Sequence, residues 1–209
     1  MEYGRLMSAW FRGAAPITFL VTGSKAEGLS CFLESDIDLM FVHNSVICIE
    51  DGVNAHHFPR EITVFRSYSR MTYSGHCRLI LERRGTMTYL AEADALCDDG
   101  YGRELLSSDL YVLNFSNVMF SEDIVHHHRS GPSTPSTMYG SLHKDLVSAF
   151  RYYCLDILSK WAARPRHWPP SEVVHQVVSL GAFLTPVVFK GREYQHVEWR
   201  VYSTMGESN

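Results

Sequence analysis

A chain of 209 residues has the length of one domain, or of one and a half. Apolar residues make up 45% and charged residues 20%, an ordinary soluble globular balance that allows a real core. The formal net charge of −4 argues against a broadly basic surface of the kind that holds nucleic acid by its phosphates.

The longest apolar runs, residues 17–21 and 39–42, fall far short of the roughly 18 residues that would span a bilayer. Residues 1–22 lack the basic start, apolar stretch and small-residue cleavage site of a secretory leader. Five cysteines (Cys31, Cys48, Cys77, Cys97 and Cys154) are scattered without a CxxC pair. That odd count fits reduced thiols, so the expected location is cytoplasmic, away from membranes. The basic spots at Arg83-Arg84 and at Arg164, Arg166 and His167 are small and read as solvated surface, as does the run His126-His127-His128.

In chain order, residues 3–11 form a short amphipathic stretch closed by Gly13 and Pro16. Residues 17–22 read as a β-strand stopped by Gly23. A helix-like turn over 25–29 leads to an apolar strand at 37–42. Residues 46–50 followed by Asp51-Gly52 predict a hairpin. Further strands are expected at 61–65 and 76–82, and helices at 87–96 and 105–119. The SGPSTPS stretch at 130–136 reads as a connector between two halves of a core. A strand over 142–150 follows, then a helix opened by Pro169-Pro170-Ser171, with Val173, Val174, Val177 and Val178 on one face and Gly181 as its stop. Strands at 183–189 and 196–203, turning at Gly191, close an α/β or α+β chain.

The segment TGSKAEGLSCFLESDIDLMFV, residues 22–42, carries the chemistry. Gly23-Ser24 leaves a strand with backbone N–H groups and a hydroxyl able to hold a triphosphate, and glycine lets phosphate approach the backbone. Eleven residues later come Asp36 and Asp38, which face the same way on a strand. Paired hard carboxylates bind Mg²⁺ or Mn²⁺, and two-metal phosphoryl transfer places such ions about 3.5–4 Å apart. A lone D-x-D also serves glycosyltransferases that use nucleotide-sugars. Glu34 shares the parity of Asp36 and Asp38 but reads as a turn residue before the strand.

This G-S-x11-D-x-D pattern resembles the catalytic motif of the cyclic GMP-AMP synthase-like and Mab (male-abnormal-twenty-one)-like nucleotidyltransferases. RHWPP at 166–170, GAFLTP at 181–186 and EWRVYSTMGE at 198–207, together with Gly131-Pro132 and Trp161, look like further blocks of that family. Residues 45–125 match it only loosely.

The resemblance implies a polymerase-beta-like nucleotidyltransferase fold, a mixed sheet flanked by helices. Residues 1–209 would form one core, joined at the 130–136 loop and ending before the family's helical second lobe; the family's long N-terminal helix is mostly absent too. It implies Asp145 as the third catalytic and metal-holding acid beside Asp36 and Asp38. Gly23, Ser24, Arg200 and Thr204 would bind nucleotide, although Tyr202 departs from the family's serine. Mg²⁺ or Mn²⁺ would be the cofactor, ATP and GTP the substrates, and a cyclic dinucleotide of innate immune signalling the product. The activating ligand is unidentified; relatives often use double-stranded nucleic acid, which the charge here does not support. The alternative is a catalytically silent member acting as an interaction module.

Overall fold

A computed structural model describes residues 17–22, 37–69, 72, 75–87, 90–119, 124–126, 133–138, 142–168, 170–187 and 195–203. Two long strands organise them, β2 (Ile37–Ile49) and β9 (Leu142–Tyr153), which run parallel from Ile37↔Lys144 to Ile49↔Tyr153. Each has a different neighbour along each half of its outer edge. β1 (Ile17–Thr22) pairs antiparallel with the first half of β2, and β3 (Thr63–Tyr68) pairs parallel with the second half. Likewise β8 (Ser133–Met138) pairs with the first half of β9 and carries β7 (Ile124–His126) beyond it, while β10 (Ala182–Pro186) takes the second half.

From β3 the sheet continues through β4 (His76–Arg83) and β11 (Glu198–Ser203) to β10, so the ring β2-β3-β4-β11-β10-β9 closes on itself. The result is a closed six-stranded barrel with extra strands. This corrects the expected nucleotidyltransferase fold, a mixed sheet flanked by helices. Among the described residues the α-helices are α1 (Leu90–Ala93), α2 (Ser108–Met119), α3 (Leu155–Ala162) and α4 (Ser171–Leu180), the first a single turn, with two 3-10 turns at Ala55–His57 and Gln195–Val197.

The closure has a local cause. The β2–β9 register shifts between His43 and Ile47. Before the shift Phe41 faces the main core cluster; after it Val46 and Cys48 do, so the inward parity of β2 changes from odd to even. Such an irregularity bends a strand and adds twist, which is what a small barrel requires. Residues 46–49 therefore extend β2 into a parallel pairing with β3, where a hairpin was expected.

Cys48, Phe65, Leu79, Trp199, Leu184 and Phe150, one from each barrel strand, meet in the main cluster. Tyr111, Val112 and Phe115 of α2 and Leu158 of α3 join it. A second cluster (Ile47, Ile49 and Val64 with Ala55, Phe58 and Ile62) seats the 50–62 segment on the barrel. Two arginines tie that segment down. Arg66 donates to the Glu50 and Val53 carbonyls while gripping both oxygens of Glu82, whose carboxyl that guanidinium holds below its usual range. Arg83, expected to be a solvated charge, donates instead to the carbonyls of Ala55, Phe58, Pro59 and Ile62.

The expected helix over 87–96 reduces to α1, because residues 96–98 form β5, which pairs with β6 (Glu104–Leu106). Residues 133–136, expected in a connector, lie in β8. Helix α4 matches its expected start and stop: Pro170 precedes it in extended backbone, and Gly181 ends it at a φ of 80°. Among the described residues no helix is long and apolar enough to cross a membrane.

Gly85 sits where no side chain fits. A Cβ there would lie 2.3 Å from the Glu61 carbonyl oxygen and 2.6 Å from the Thr63 nitrogen, both backbone atoms. Gly85→Ala is therefore expected to cost about 1–3 kcal/mol through a forced backbone shift. A urea melt would read it, and an unchanged midpoint would show that the 61–63 backbone yields freely.

Candidate functional site

Asp38 and Asp145 are register partners across the parallel β2–β9 pair, each half-buried. Neighbouring strands lie about 4.8 Å apart, and register partners share a face of the sheet. Further along, the same face carries Met40 beside Val147 and Val42 beside Ala149. Met40, Val42 and Ala149 pack with Phe183 into an apolar cluster. The two acids thus occupy the start of both strands, where this apolar face ends. Thr22 is the register partner of Asp38 on its other side, in β1.

Two adjacent carboxylates offer hard oxygen donors suited to Mg²⁺ or Mn²⁺. Among the described residues no group of three His, Cys, Asp or Glu side chains converges as a metal set. Asp36, Gly23, Ser24 and Thr204 lie outside the described residues. Arg200 is exposed on β11, paired with Thr185 of β10 and His76 of β4. Strand β10 separates it from β9, so it does not adjoin the acidic pair. Tyr202, the departure from the family's pattern, packs against the Met40–Phe183 cluster.

Sequence reading missed a second polar group. His43 lies on β2 at the register shift and is 3% exposed. Its Nδ1 is 3.2 Å from Oε1 of Glu92 on α1, which is 1% exposed. Its Nε2 lies 2.9 Å from the Tyr111 hydroxyl and 3.1 Å from Ser148 Oγ, and these two hydroxyls are 2.5 Å apart. Burial pushes the Tyr111 hydroxyl well above its usual pKa; the Glu92 carboxylate adds to the rise and the Ser148 hydrogen bond opposes it. The order carboxylate–imidazole–hydroxyl resembles a proton relay, but with Ser148 at 4% and Tyr111 at 0% exposure no substrate reaches it. Its work is structural: it joins α1, α2, β2 and β9. The sequence signal was present in the polar His43-Asn44-Ser45 inside the apolar run of β2.

Burial disfavours the thiolate at three cysteines. Desolvation, helped by Glu198, pushes Cys77 up to about 12, and burial raises Cys48 and Cys154 as well. A buried neutral thiol is a poor nucleophile. No family model matches the chain, and no curated protein matches it.

Proposed function

We propose that the protein binds a divalent cation on Asp38 and Asp145 and transfers a nucleotidyl group from ATP or GTP, in the cytoplasm. The observation that carries this reading is the β2–β9 register, which sets the two carboxylates side by side at the end of an apolar face. It stands on that pairing and on the Gly-Ser…Asp-x-Asp spacing, not on the family's fold. Asp38 and Asp145, with Asp36 two residues earlier in the sequence, would hold Mg²⁺ or Mn²⁺. When bound, such an ion neutralises charge on the reacting phosphoryl group. Gly23 and Ser24, which follow Thr22 directly in the sequence, would cradle the triphosphate. Arg200 lies beyond β10 from the acids, so it and Thr204 would meet a part of the nucleotide remote from the reacting phosphate.

The test pairs a thermal melt with a transfer assay. Mn²⁺ at a hundred times its Kd should stabilise the wild-type chain by about 2.7 kcal/mol. Asp38→Asn/Asp145→Asn should lose that response, along with transfer from radiolabelled ATP or GTP. Equal stabilisation of both proteins by Mn²⁺ would overturn the metal site. The closed barrel favours a second reading, the non-catalytic interaction module. Metal binding without transfer of any labelled nucleotide would support it.

A further inference from the structure

Between β3, β4, the β5–β6 hairpin and the 3-10 turn Gln195–Val197 that leads into β11 lies a cavity of about 210 Å³. Its apolar lining is Ile80, Leu105 and Val197. Tyr68 flanks it, with the Arg103 guanidinium 6.0 Å from the ring centroid. Arg78, Asp98 and His196 supply polar edges.

The hairpin loop is held in shape. Gly100 and Gly102 take φ values of 82° and 78°, which side chains resist. Asp98 Oδ1 accepts the Gly100 N–H at 2.5 Å, and Asp99 Oδ1 accepts those of Tyr101 and Arg103 at 2.8 and 3.1 Å. Arg103 Nε closes on Asp99 Oδ2 at 2.6 Å. Against the desolvation that raises it, these amides and the guanidinium hold the Asp99 carboxyl below its usual range. At the loop's tip Tyr101 is 87% exposed, an aromatic ring on a braced support beside an open cavity.

We infer that this cavity is a second ligand site, taking the base of a nucleoside stacked against the tyrosines. The chemistry selects that class. The cavity is smaller than the roughly 300–1,000 Å³ usual for a drug-sized ligand, which suits one flat ring system with the sugar left outside. A free anion is disfavoured, because Arg103 is already matched by Asp99 and Asp98 faces the same space. An acyl chain would strip water from the exposed Asp98 carboxylate and return no hydrogen bond. A nucleobase has a π-face for the tyrosines and both donors and acceptors on its edge for Asp98, Arg78 and His196. The site lies beside β3 and β4, away from the start of β2 and β9, and does not depend on the carboxylate pair.

The experiment titrates the full chain, in EDTA, with adenosine, guanosine, cytidine and uridine, which carry no phosphate, and with benzoate and inorganic phosphate. Calorimetry should show saturable binding of at least one nucleoside. Tyr101→Ala, at an exposed position, should weaken it at least about fivefold, as loss of a base–aromatic stack does. Asp98→Asn keeps an oxygen for the Gly100 amide and should change the preference among the four nucleosides. Asp38→Asn/Asp145→Asn should leave the affinity unchanged. No saturation by any nucleoside, equal binding of benzoate, binding of phosphate alone, or indifference to Tyr101→Ala would overturn the inference.

Discussion

Trp199→Ala is expected to destabilise the protein by about 3–5 kcal/mol, a large part of the stability of a domain this size. Trp199 is fully buried on β11, with the rings of Phe150 and Tyr111 centred 5.1 and 5.4 Å away. It links the barrel wall to α2, and its Nε1–H donates to the Leu106 carbonyl at 3.0 Å, which ties in β6 as well. Alanine opens a cavity where three elements meet and takes the donor from a buried carbonyl. Trp199→Phe keeps most of the apolar contact and loses the donor, so about 1–3 kcal/mol is expected there. Urea unfolding separates the two. A Phe variant as unstable as the Ala variant would mean that the hydrogen bond, rather than the ring, dominates.

His43→Phe is expected to cost about 3–5 kcal/mol, because Glu92 would stay buried with its counter-group removed. Its carboxylate has no aligned hydrogen-bond donor among the described residues, which leaves the His43 imidazole at 3.2 Å as its compensation. The double variant His43→Phe/Glu92→Leu should recover much of that loss, since two apolar side chains of similar volume carry no desolvation penalty. A double-mutant cycle would measure the coupling. Strict additivity of the two changes would show that His43 and Glu92 do not compensate each other, and that α1 is held by other contacts.

These two residues illustrate a division of labour in the fold. Trp199 belongs to an apolar interior that any compatible packing could have served. The hydrogen bonds among His43, Tyr111 and Ser148 are directional and tie β2 to α2 and β9 in one arrangement, while the His43–Glu92 contact brings α1 alongside. The position of His43 at the register shift matters for the acids too. The shift lets β2 leave β1 and join β3, so its first half, with Asp38 beside Asp145, runs between β1 and β9.

What the sequence determined by itself is local. The branched and aromatic run of β1, the apolar start of β2 and the Pro-to-Gly limits of α4 each follow from interactions within a few residues, and all three match the structure. The tertiary structure decided what depends on distant residues. Barrel closure needs β11 to meet β4, and the acidic pair needs Asp38 to align with Asp145, more than a hundred residues away. Hydrophobic period does not report a register between distant strands, and a single irregularity at His43–Ile47 reverses which residues of β2 face inward. A one-residue change of phase sends every later side chain to the other face. For that reason a barrel stands where a helix-flanked sheet was expected, although most strands lie where their local pattern puts them.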